Sequence, residues 1–135
     1  MQSNVIRLVV GIGVLLGATQ SVWSHHSFSA VFDAASPVEL RGVVTEADWI
    51  NPHIWITIDV TAEDGAVETW RIEAGSPNSM FRRGLRKTSL PVGTEIVVRG
   101  YQALDGGRRA NARDLTLPDG QRLLLDSSRP GDEVE

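Results

Sequence analysis

The chain has 135 residues, 13 Lys and Arg against 17 Asp and Glu, a net charge of −4, three histidines, four tryptophans and no cysteine. That length supports one domain with a single modest core, and the absence of cysteine excludes disulfides, thiolate metal sites and a lipid-modified cysteine. An acidic balance argues against nucleic acid as a partner, because phosphate recognition rests on clustered positive charge.

The N-terminus carries Arg7 and then the apolar run "LVVGIGVLLGA" from Leu8 to Ala18, followed by a polar stretch with small residues. This is the layout of a secretion signal, and the run falls well short of the roughly 20 residues that a membrane-spanning helix needs. Residues 1–24 are expected to be a signal peptide cut between Ser24 and His25, with an uncleaved anchor as the alternative. Cleavage leaves 111 residues with a net charge of −5 once Arg7 is lost, a periplasmic or secreted location, and no stable membrane insertion. The remaining charge is uneven: nine acidic and two basic residues lie between His25 and Gly75, five acidic and nine basic between Ser76 and Asp126. The two halves either neutralise each other or leave an anion-binding surface built from Arg82, Arg83, Arg86, Lys87, Arg108, Arg109 and Arg113.

After the signal, the pattern reads as short strands. "VELRGVVTEADW" (Val38 to Trp49) is rich in β-branched residues, with Gly42 marking a bulge or a sharp bend. Asn51 and Pro52 make a turn. In "HIWITIDV", Ile54, Ile56, Ile58 and Val60 alternate with His53, Trp55, Thr57 and Asp59, the period of a strand with one buried face. "VETWRIE" (Val67 to Glu73) returns as a third strand. Ser76 as N-cap, Pro77 at the first position, Met80 and Phe81 as the apolar contact and Gly84 as terminator predict one or two helical turns. Strands resume over Glu95 to Tyr101, Ala110 to Leu117 and a short "QRLLL". The expected fold is all-β: a small OB-fold-like barrel of five to six strands over residues 25–126, with one short helix between strands 3 and 4. A plain β-sandwich is the competing architecture, and residues 127–135 are expected to be a disordered tail.

The motifs "HHSF", "EADWINPHIW", "WRIEAGSPNSMFRRG" and "GTEIVVRGYQALDGGRRANARDLTLPDG" together resemble an uncharacterised family of small exported bacterial proteins, a domain of unknown function. The resemblance runs from His25 to about Leu125. It implies an exported single-domain β-barrel whose mature chain begins at the paired histidines, and it implies no activity, substrate or catalytic residue. The family commonly carries alanine before the histidines, where this chain has Ser24.

If cleavage leaves His25 first, that residue offers a free α-amine and an imidazole to one metal ion. The amine titrates at about 7.7–8, so it loses its proton near neutrality at little cost. Copper(II) is the natural candidate for nitrogen ligands in tetragonal geometry. A further imidazole, from His26 or His53, would complete the site. His26 points away from His25 on an extended segment, whereas His53 requires the segment "SFSAVF" to dock through Phe28 and Phe32. The alternative for His53 is a polar strand-start residue bonded near the turn, and for His25 and His26 a frayed terminus. Trp49 and Trp55 flank the same turn and could stack on a sugar, a flat ligand or a cation; core packing is the other reading. Asp33, Glu46 and Asp48 lie near these motifs as further carboxylates.

No catalytic residue is expected: "AGSPNS" lacks the nucleophile-elbow spacing, and no two histidines stand at the helical spacing of a zinc protease. The sequence therefore points to an exported cell-envelope binding module, with copper held by His25 as bidentate ligand and by His53 or His26 as the third. A metal-free accessory protein docking on an envelope partner is the alternative.

Overall fold

The computed structural model describes residues 28–125. The signal segment, His25, His26 and the C-terminal tail lie outside the described residues. A single turn of helix, α1 (Phe28–Val31), leads into β1 (Phe32–Asp48), β2 (Trp55–Thr61) and β3 (Val67–Glu73). A short helix α2 (Pro77–Arg82) and a 3-10 turn (Lys87–Ser89) precede β4 (Glu95–Ala103), β5 (Arg109–Thr116) and β6 (Arg122–Leu124). The strands form one six-stranded sheet in the order β3-β2-β1-β4-β5-β6. β3 also pairs in parallel with β5, through Arg71 with Arg109, Ile72 with Ala110 and Glu73 with Asn111. The expected strand-rich domain, with its one short helix between strands 3 and 4, is therefore present.

The period-two pattern explains which face is inside. Ile54, Ile56 and Ile58 are fully buried, and Ile56 and Ile58 stand opposite Ile72 and Trp70 across the β2–β3 ladder. Val44, Ile96, Val98, Ala110, Ala112 and Leu115 complete the same cluster. Each large aliphatic side chain so buried contributes about 1.5–3 kcal/mol, which lets a domain without disulfides hold together. Two glycines answer to close approach. A Cβ on Gly42 would meet the Asp59 carbonyl at 2.8 Å, and one on Gly100 would overlap the Asn111 carbonyl.

Three local expectations change. β1 begins at Phe32, six residues before Val38, because Phe32 is buried and pairs with Ala103. β2 reaches β1 only from Val43 onward, so Pro37 lies where the strand has one neighbour and its missing N–H is tolerated. The register shift falls between Val44 and Glu46 rather than at Gly42. In α2, Ser76 accepts from the Ser79 amide at 3.3 Å and Gly84 adopts φ 93°, as the capping pattern predicts. Met80 is buried but Phe81 is exposed, since successive helical side chains diverge and only one of the two can face the core.

Candidate functional site

Positions on the face away from the core form a row across the sheet, Asn111 buried among them. Asp48 on β1 stands opposite Trp55 on β2, Trp55 opposite Glu73 on β3, Glu73 beside Asn111 on β5, and Asn111 opposite Tyr101 on β4. Their neighbours Ile56, Ile72 and Ala110 point into the core, so this row lies on the other face. The Asn51–Pro52 peptide is cis, and the chain then enters β2 through His53. Pairing continues beyond the strand ends, from the Ile54 amide to the Gly75 carbonyl at 3.0 Å and from the Ala74 amide to the Ile54 carbonyl at 2.9 Å. This brings the His53 ring to Glu73, with Nδ1 2.8 Å from Oε1 and the side chains 37% and 12% exposed. With Nδ1 set against the carboxylate, Nε2 is the ring nitrogen left for another partner.

Trp55 carries the Arg71 guanidinium 4.7 Å from its ring centroid, and Arg71 also lies 3.9 Å from Asp48. The cation over this tryptophan is thus the protein's own. Trp49 is half-buried and packs against the core cluster, as does the buried Trp70 from within it. Of the three carboxylates near the motifs, Glu46 is exposed opposite Thr57, Asp48 faces Arg71, and Asp33 is turned to its own chain. The Asp33 side chain accepts from the Ala35 amide and the Ser36 hydroxyl, each at 2.8 Å, and these bonds hold its carboxyl below the ordinary range.

Phe28 follows His26 by two residues. Its ring lies 5.8 Å from that of Phe32 and 5.4 Å, edge-on, from that of Tyr101, so Phe28 is anchored at the Tyr101 end of the row that contains Glu73. Glu73 and Arg71 were not legible as site residues. The available signal was the "VETWRIE" alternation, which puts both opposite the His53 strand once the hairpin register is known. Among the described residues no group of three or more His, Asp or Glu is arranged to hold a metal ion.

A second polar system runs along the other strands. Glu39 accepts from Arg99 at 2.7 Å, and Asp114 accepts from Arg122 at 2.7 Å, with Arg99 4.0 Å from its other oxygen. Asp114 is only 1% exposed and its Oδ1 makes no hydrogen bond. Glu39 with Arg99 and Glu68 with Arg108 pair acids of the first half with cations of the second, so part of the charge asymmetry neutralises internally.

Comparison with known proteins gives a family and no activity. A family of unknown function (DUF6152) matches residues 13–112. This chain belongs to it. The span matched in this DUF6152 protein contains His25, His26, His53, Trp55, Arg71 and Glu73 and stops before Asp114. No curated protein matches the chain. Among solved structures, it is similar to a crystal structure of TiaS in complex with an isoleucine tRNA and ATP, 24% identical with a TM-score of 0.46 over 60% of this chain. The chain spans 18% of that protein's length.

Proposed function

We propose that this protein is an exported cell-envelope binding module that holds copper(II) at an N-terminal histidine site. His25 would supply its α-amine and imidazole, and His53 or His26 the third nitrogen. The observation that carries the reading is the His53–Glu73 pair at 2.8 Å. A carboxylate set against one ring nitrogen, with the other left for the metal, is the arrangement in which a ligating histidine is usually held.

Reach supports it as well. Tyr101, which meets Phe28, is two strands from Glu73 in the Tyr101-Asn111-Glu73 row, a distance of about 10 Å at ordinary strand spacing. The residues from His25 to Phe28 can extend over about 10–11 Å. We read the parallel β3–β5 ladder as closing the sheet into an OB-type barrel, which would bring this row onto one continuous wall.

The alternative, a metal-free accessory protein docking on an envelope partner, draws on the Trp55–Arg71 stack and the half-exposed surface around it. Native mass spectrometry of protein processed by its own signal separates the two readings. Copper is added to the native chain, to a version with one extra N-terminal alanine, and to His53→Ala. Chelator-resistant copper on the native chain and not on the extended version supports the site; its loss from His53→Ala assigns the third nitrogen to His53, and its retention there assigns it to His26. Equal weak binding in all three, or a chain that does not begin at His25, removes it in favour of docking.

A further inference from the structure

Six basic residues on or beside the sheet are matched with acids: Arg41 with Glu95, Arg71 with Asp48, Arg99 with Glu39, Arg108 with Glu68, Arg109 with Asp105 and Arg122 with Asp114. Arg113 on β5 stands alone without one among the described residues, whereas around α2 four such cations are gathered. From Ser76 to Thr94 the sequence contains four cations and no acid, and Arg82, Arg83, Arg86 and Lys87 are exposed with no acidic partner among the described residues.

Apolar side chains stand among these charges. Phe81 is 55% exposed, with the Arg86 guanidinium 4.2 Å from its ring centroid. Arg83 donates to the Leu124 carbonyl at 2.9 Å, which brings β6 beside the helix, and Leu124 is 59% exposed. Burial of Met80 and Leu85 beneath accounts for the helix's attachment to the core; it does not require a phenylalanine facing water.

We propose that this face, made by Phe81, Arg82, Arg83, Arg86, Lys87 and Leu124, docks the protein on an anionic phospholipid surface. Charge complementarity selects the headgroups, since an acid-free cluster of cations gains from each lipid phosphate it approaches. The exposed aromatic and leucine select a bilayer over a soluble polyanion, because only a bilayer offers an apolar layer just beneath its phosphates. The attachment is peripheral: no helix among the described residues is long and apolar enough to cross a membrane.

The test is co-sedimentation of the processed chain with vesicles of phosphatidylcholine containing phosphatidylglycerol, against phosphatidylcholine alone, in copper-free buffer. Failure here and failure of the copper site are therefore separate results. Binding is expected only to the anionic vesicles and is expected to weaken with salt. Arg86→Gln and Lys87→Gln should each lower partitioning about fivefold. Phe81→Ser should lower it about tenfold while leaving retention on immobilised polyphosphate unchanged. All three side chains are exposed, so thermal midpoints should match the parent, and the two charge variants test the face even if Phe81→Ser perturbs the fold. Absence of binding to anionic vesicles overturns the proposal. So does vesicle binding indifferent to Phe81 and equalled by polyphosphate, which would make the face a soluble-polyanion site.

Discussion

Asp114 and Glu73 are both carboxylates in cross-strand pairs on the outside of the sheet, and they differ in what closes around them. Asp114 is 1% exposed between Arg122 at 2.7 Å and Arg99 at 4.0 Å, and Arg99 is itself held by Glu39. Arg122 gains in turn, its guanidinium raised above its ordinary value chiefly by the hydrogen bond to Asp114. Guanidinium groups stay protonated and have no lone pair to offer, so this system can only hold strands together. Glu73 faces an imidazole instead, at 2.8 Å. Imidazole has a second nitrogen, which in the proposed function is the one that meets the metal.

The contrast can be broken from either side. The largest expected effect is on the structural pair: Arg99→Ala with Arg122→Ala leaves Asp114 buried without a counter-charge. That should cost about 3 kcal/mol in urea unfolding, the low end for a broken buried pair because both arginines are half exposed. A loss below about 0.5 kcal/mol would reduce Asp114 to an ordinary surface pair. On the other side, Glu73→Gln should change unfolding free energy by no more than about 1 kcal/mol and weaken copper about 10- to 100-fold in a chelator competition. If the stability falls and copper binding does not, the two carboxylates have the same role.

Arg71→Ala sharpens the comparison by removing the cation over Trp55. Only the stack and a 3.9 Å contact to Asp48 are lost, so about 0.5–1 kcal/mol is expected by the same unfolding measurement. Asp33 supplies the smallest effect. Its bonds to Ala35 and Ser36 lower its pKa from an ordinary 3.8, so its contribution to stability is present above that value and is lost as pH falls through the lower folded one. Thermal midpoints of Asp33→Ala and parent should converge as pH drops below 3.8. Midpoints that stay apart there would mean that the side chain acts through something other than its charge.

Much of the fold was legible because its signals are local. The isoleucine alternation in "HIWITIDV", the Ser76-Pro77 start and Gly84 end of α2, and "VETWRIE" as a strand over Val67–Glu73 all depend on neighbours a few residues away. The early start of β1 did not: "FDAASP" has weak strand preference and is tied to β4 only at its two ends, Phe32 to Ala103 and Pro37 to Tyr101, partners distant along the chain. The outward turn of Phe81 was hidden for a related reason, since Met80 and Phe81 are equally apolar and only the position of the core decides between them.

The candidate site divides in the same way. By itself the sequence determined the residue types that can do chemistry: three histidines, two of them behind a secretion-type segment, and tryptophans around an Asn-Pro-His turn. It also determined which strand positions alternate together. Only the tertiary structure decided that His53 meets Glu73, that Arg71 covers Trp55, and that Phe28 rests on Tyr101 in the row leading to Glu73. Alternation assigns a side chain to a face, but partners across strands are set by register. Register follows from how the whole core closes, which no single segment encodes.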